Sequence, residues 1–77
     1  MSWQEIVKQR MERMELGQKA MAQRTGVNYE TLRNRLRGAS RVKLDEAEDM
    51  ALVLELSPQE ALECFFPRVA EKGGLGR

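Results

Sequence analysis

The stretch MAQRTGVNYETLRNRLRG, residues 21–38, begins as a helix, meets Thr25-Gly26, and restarts at Asn28. It then carries Arg33, Arg35 and Arg37. Gly26 stands where a helix end takes a left-handed residue, a conformation glycine adopts without a Cβ clash. Asn28 is a good N-cap. Val27 and Leu32 have the spacing of a hydrophobic staple, which fixes the angle at which the chain enters the next helix. The pattern predicts a short helix over about Gln18–Arg24, a tight turn, and a second helix over about Asn28–Arg37. In that second helix Leu32 and Leu36 form the inward i, i+4 pair. At 100° per residue, Glu30, Arg33, Asn34 and Arg37 fall on the opposite side. Gly38 ends it.

Working outward, the N-terminal side reads as another helix. Ser2 and Glu5 have capping-box spacing, each side chain serving a free N–H of the other residue. Trp3, Val7, Met11 and Met14 form an apolar stripe with Ile6 beside it, and Lys8, Arg10, Glu12 and Arg13 lie on or near the wet side. This helix ends around Met14 to Leu16, before Gly17. After Gly38 comes a basic loop, ASRVK, at 39–43. A fourth helix follows over about Leu44–Leu54, with Leu44, Ala47, Ala51 and Leu54 along one face and Met50 adjacent. Asp45, Glu46, Glu48 and Asp49 fill its first turns, where the helix dipole favours negative charge. Ser57-Pro58-Gln59-Glu60 is a second capping box with proline at the first helical position. It opens a fifth helix containing Ala61, Leu62, Phe65 and Phe66, which Pro67 closes. No run of alternating β-branched residues interrupts this periodicity, so the fold class is all-α, a compact five-helix domain. The domain is expected over residues 1–67, followed by a flexible, glycine-rich tail over 68–77.

Composition narrows the function. A chain of 77 residues is one domain, and a core this small contributes only a few kcal/mol of net stability. One cysteine, Cys64, leaves no intramolecular disulfide, and with no histidine and no CxxC pair a zinc site is not expected. A reducing cytosol and support from oligomerisation are the expectation. No signal-peptide pattern and no run of about 20 apolar residues is visible, so a soluble cytoplasmic protein is expected, with no membrane partner. The net charge of +1 hides an asymmetry. Residues 1–43 hold ten Lys/Arg against four acids, a net of +6, whereas residues 44–77 hold three against eight, a net of −5. No acid occurs between Thr31 and Leu44. Such a split suits one face turned to a polyanion and another turned away.

Two helices joined by a short glycine-containing turn and locked by an apolar staple make a helix-turn-helix. The turn makes the second helix protrude, so its outer face can enter the major groove of DNA. The chain from Leu16 to Phe66 resembles the lambda-repressor/Cro-like helix-turn-helix family, also called the xenobiotic-response-element family. The residues that carry the resemblance are Gln18, Met21-Ala22, Gly26-Val27, Leu32, Gly38, Leu44, Ala51, Leu54, Leu56 and Ser57. The sequence departs from the family pattern at Gly17, where Ser or Thr is usual. It departs again at Arg35, where an apolar residue is frequent, and at Leu36, where Glu is frequent. The resemblance implies a five-helix domain that binds operator DNA, usually as a dimer.

The candidate DNA-binding residues are Gln18, Asn28, Tyr29, Glu30, Arg33, Asn34, Arg37, Arg41 and Lys43. Arg33 and Arg37 can each donate two hydrogen bonds to guanine O6/N7 or hold phosphates; otherwise they form a solvated helix face. Glu30 either accepts from cytosine N4 or offsets the neighbouring arginines. Asn34 can pair with adenine or stand exposed. Gln18 opens a helix whose free N–H groups suit a phosphate. Asn28 caps with or without touching DNA. Tyr29 either stacks on the core or reaches a thymine methyl or a phosphate. Arg41 and Lys43 suit phosphates or are ordinary surface charge. Leu52, Val53, Leu56, Phe65 and Phe66 are candidates for a homodimer surface, unless the fifth helix covers them.

The sequence lacks a nucleophile–base pair, a phosphate loop and enough chain to enclose a pocket, so neither an enzyme nor a small-molecule ligand or cofactor is expected. The expected function is a sequence-specific, repressor-like transcriptional regulator that binds double-stranded DNA in the nucleoid. The resemblance points to regulators of phages and mobile elements in bacteria. The alternative is a helical protein-interaction module, such as an anti-repressor or antitoxin-like partner. For such a module the acid-free basic run has no purpose.

Overall fold

The computed structural model describes residues 2–72. Its order is α1 (Trp3–Arg13), α2 (Gln18–Thr25), α3 (Tyr29–Leu36), α4 (Leu44–Val53), α5 (Pro58–Phe65) and α6 (Pro67–Glu71). No strand occurs among the described residues. Five helices fall where the periodicity puts them. The sixth differs from expectation: Pro67 ends α5 and also starts α6. Proline can do both, because it cannot continue a helix but fits the first position of one. Residues 67–71, mostly assigned to the tail on sequence, are therefore helical, and residues 73–77 lie outside the described residues.

The starts of α1 and α5 satisfy free donors locally. Ser2 Oγ accepts from the Glu5 N–H while Glu5 Oε1 accepts from the Ser2 N–H. Ser57 and Glu60 repeat this box at α5, at 3.1 and 2.8 Å. Three helix ends close by one device. In α1, α3 and α4 the residue after the cap is left-handed, and it and its successor donate back to the last turn. These left-handed residues are Glu15 (φ 53°), Gly38 (φ 81°) and Glu55 (φ 56°).

The core forms where the stripes meet. Val7, Met21, Leu32, Met50 and Leu54 are wholly buried, one or two from each of the first four helices or their caps, and Cys64 joins them from α5. Helix α2 packs against α3 and α4, and α1 packs against α3 and α5. The Trp3 and Phe65 rings, 5.7 Å apart, close the α1–α5 seam. Burial raises the Cys64 thiol to about 11, so the group stays protonated and serves as a small apolar filler.

Two assignments need correction. Leu44 is 72 % exposed rather than inward. It is the first residue of α4, and the buried layers under that helix begin at Ala47, one turn later. Arg10 is not on the wet face either. Its side chain is 22 % exposed, and Nη2 donates to both carboxylate oxygens of Glu60 at 3.1 and 3.2 Å, tying α1 to α5.

Candidate nucleic-acid interface

The turn between α2 and α3 is built by three residues. Gly26 is left-handed (φ 78°, ψ 6°) and donates its N–H to Ala22 O at 2.9 Å. Thr25, buried at 9 % exposure, donates its hydroxyl to Met21 O at 2.8 Å and accepts from the Val27 N–H at 3.2 Å. One side chain thus finishes α2 and holds the turn. Asn28 Oδ1 accepts from the Glu30 and Thr31 N–H groups at 2.9 and 3.3 Å, which starts α3. Val27 packs against the core and Leu32 is wholly buried, so α3 is fixed by its inner face and free on its outer one.

That outer face carries the expected side chains. Glu30, Arg33 and Arg37 are exposed and Asn34 is half-buried, whereas Tyr29, at the edge of this face, packs partly against the core. They hold one another. Arg33 Nη1 donates to Glu30 Oε1 at 3.1 Å, and its guanidinium lies over the Tyr29 ring, 5.9 Å from the centroid. Arg37 Nη2 donates to Asn34 Oδ1 at 3.0 Å. Gln18, half-buried, is the first residue of α2, and exposed Lys43 is the N-cap of α4. Arg41 is exposed in the loop between α3 and α4.

Arg35 belongs to a different group. Its Nε and Nη2 donate to the two Glu46 oxygens at 2.8 and 3.2 Å, and its Nη1 donates to Ser40 Oγ at 2.6 Å. One arginine of the acid-free run is therefore turned to the frame and leaves Arg33 and Arg37 as the outward pair.

Sequence reasoning missed Lys19 and Gln23. With Asn28 and Tyr29 they line an open groove between α2 and the start of α3. Their signal was available: both are polar residues on the short helix, and they stand four apart, hence on one face. It also missed that Trp3 and Gln4 of α1 line a second open groove with Ser40 and Arg41 of the basic loop.

The dimer candidates lie on α4, α5 and the turns that follow them. Leu52 is 71 % and Phe66 44 % exposed. Val53, Leu56 and Phe65 are half-buried against the core.

The family model described as a Cro/C1-type HTH DNA-binding domain matches residues 7–67, which takes in the turn, both of its helices and the buried core. The chain belongs to the Cro/C1-type helix-turn-helix family. No curated protein and no solved structure matches it. In this Cro/C1-type domain α2 and α3 are the helix-turn-helix, and the match reaches past α3 through α5 to Pro67. No helix among the described residues is long and apolar enough to cross a membrane.

Proposed function

We propose that the chain is a sequence-specific transcriptional regulator that acts by occupying operator DNA as a homodimer. The observation that carries this reading is the composition of the free face of α3. Tyr29, Glu30, Arg33, Asn34 and Arg37 are of the types that hydrogen-bond to base edges or phosphates, and the Gly26 turn leaves Glu30, Arg33 and Arg37 exposed on that face. In the proposal α3 lies in the major groove. Gln18 and the first N–H groups of α2 meet one phosphate strand, and Arg41 and Lys43 meet phosphates beyond α3.

Self-association follows from size and surface. A core this small gains from a partner, and Leu52 and Phe66 leave apolar area in water. Two copies joined through Leu52, Val53, Leu56, Phe65 and Phe66 read half-sites about 10 bp apart. In this reading regulation is by occupancy, repressor-like, at the nucleoid. The test is selection of bound sites from a random duplex library at about 0.15 M salt, where weak electrostatic binding is suppressed. An enriched palindrome supports the reading, and no enrichment by the folded protein rejects it.

A further inference from the structure

The two outward arginines of α3 are held in different electrical states. Arg33 is paired with a carboxylate, Glu30, at 3.1 Å, and is steadied by the Tyr29 ring. Arg37 is paired with a neutral amide, Asn34, at 3.0 Å. Each partner stands three residues before its arginine, so both pairs run along the same side of the helix. The first pair has no net charge and begins at Glu30 in the first turn of α3, with Arg33 one turn further on. The second keeps a full positive charge and ends at the C-cap.

Position and charge separate their roles. In a helix-turn-helix the N-terminal residues of the reading helix reach the base edges. A phosphate repels a carboxylate, so a Glu–Arg pair is a poor backbone clamp. Base edges are a better match. Guanine offers two acceptors, N7 and O6, to a guanidinium, and cytosine offers a donor, N4–H₂, to an acceptor-only carboxylate. Adenine also shows a donor but sets N7, an acceptor, beside it, which disfavours a carboxylate. Residues three apart rise about 4.5 Å along a helix, close to the roughly 3.4 Å step between base pairs. Both side chains are well exposed, 44 % and 68 %, so their mutual ion pair is weak and opens readily when bases replace it.

We infer that Glu30 and Arg33 form one reading unit for a cytosine and a guanine in neighbouring base pairs of each half-site, while Arg37, held by Asn34, grips the backbone. The inference rests on α3 being the reading helix, as proposed above. Glu30 is then a specificity residue that works partly by exclusion. In free protein it neutralises Arg33 and weakens attraction to DNA of any sequence, and on the operator it demands cytosine.

Site selection with the full chain and its Glu30→Gln and Arg33→Ala variants tests this, each variant first checked for an unchanged thermal melt. The wild-type sites are expected to contain neighbouring C·G and G·C pairs in each half. Glu30→Gln is expected to lose the requirement at the cytosine alone, to keep the guanine, and to bind random duplex a few-fold more tightly. Swapping the cytosine pair in the enriched duplex should cost the wild type about five- to a hundredfold in affinity and Glu30→Gln much less. If Glu30→Gln selects the wild-type sites with undiminished discrimination, the inference is wrong and the proposed function stands. Wild-type sites without such a C/G step overturn it in the same way. If the wild type enriches nothing, the proposed function falls and the inference with it.

Discussion

Arg35 grips Glu46 with two hydrogen bonds, at 2.8 and 3.2 Å, and both side chains are largely shielded, at 13 % and 14 % exposure. Glu46 is the third residue of α4 and also accepts the Lys43 N–H at 2.9 Å. It therefore finishes the start of its own helix and anchors the last turn of α3. Glu60 does the same at α5, taking the Ser57 N–H at 2.8 Å and Arg10 of α1. Among the described residues, both ion pairs that link separate helices end on a capping glutamate. The first fixes the 38–43 loop that carries Arg41, because Arg35 also holds Ser40 at 2.6 Å.

Removing one partner of this pair should harm the fold more than removing both. Arg35→Leu leaves a shielded carboxylate without its cation and should lower the melting temperature by several degrees. Adding Glu46→Gln keeps a side chain able to cap Lys43 and removes the stranded charge, so the double variant should recover much of the loss. Thermal melts of the four proteins in the cycle decide it; additive losses would show that the pair is not coupled.

Acid should weaken the fold through the same glutamates. The Arg35 hydrogen bond holds Glu46 below the usual carboxylate range, and the Ser57 N–H does so for Glu60. A carboxyl whose folded pKa is lowered contributes stability above its unfolded value, about 4.3. That contribution is lost as pH falls through the folded value. Urea midpoints should be flat from pH 7 to 5 and fall below about pH 4.3. Glu46→Gln should shallow that fall, and an equally steep fall in the variant would exclude Glu46 as a source of it.

Backbone handedness separates the glycine the sequence announces from the two sites it hides. Gly26 and Glu15 are both left-handed. Around Gly26 a Cβ would touch nothing within 4 Å, so Gly26→Ala tests conformation alone and should cost about 1 kcal/mol. Glu15 and Glu55 bear the opposite strain. Glu15→Gly and Glu55→Gly should each stabilise by about 0.5–1 kcal/mol, after the added freedom of the unfolded glycine is subtracted. Urea denaturation reads all three, and destabilisation by either glutamate variant would mean that its side chain makes a contact outweighing the backbone strain.

These sites also show which parts of the fold were legible. Short-range grammar was readable: Ser2/Glu5, Asn28, Gly26 and Ser57/Glu60 each act within a few residues of themselves. The inward stripes were readable because periodicity is local too. What escaped needed distant partners or an edge. Nothing near Arg35 in sequence reveals Glu46 eleven residues on, and nothing near Arg10 reveals Glu60 fifty residues on. Leu44 has the right helical angle for the core, but periodicity cannot say where the core stops. In the candidate site, the outward set on α3 follows from helical angle. The pairing that makes Glu30–Arg33 neutral and leaves Arg37 charged does not, because each arginine has several polar neighbours within reach.

The loop cations should act on affinity without acting on sequence preference. Arg41 and Lys43 are exposed, lie beyond the last turn of α3, and make no ion pair among the described residues. A cation on a phosphate displaces about one counterion, so each contact adds about one to the slope of log K against log salt. Arg41→Ala and Lys43→Ala should each weaken binding to every duplex alike and reduce that slope by about one. Arg33→Ala should instead change which duplex is preferred. Fluorescence titrations of the selected site and of a scrambled duplex, at three or more salt concentrations, separate the two effects. If Arg41→Ala weakens the selected site and spares the scrambled one, the loop reads bases, and its assignment to the backbone is wrong.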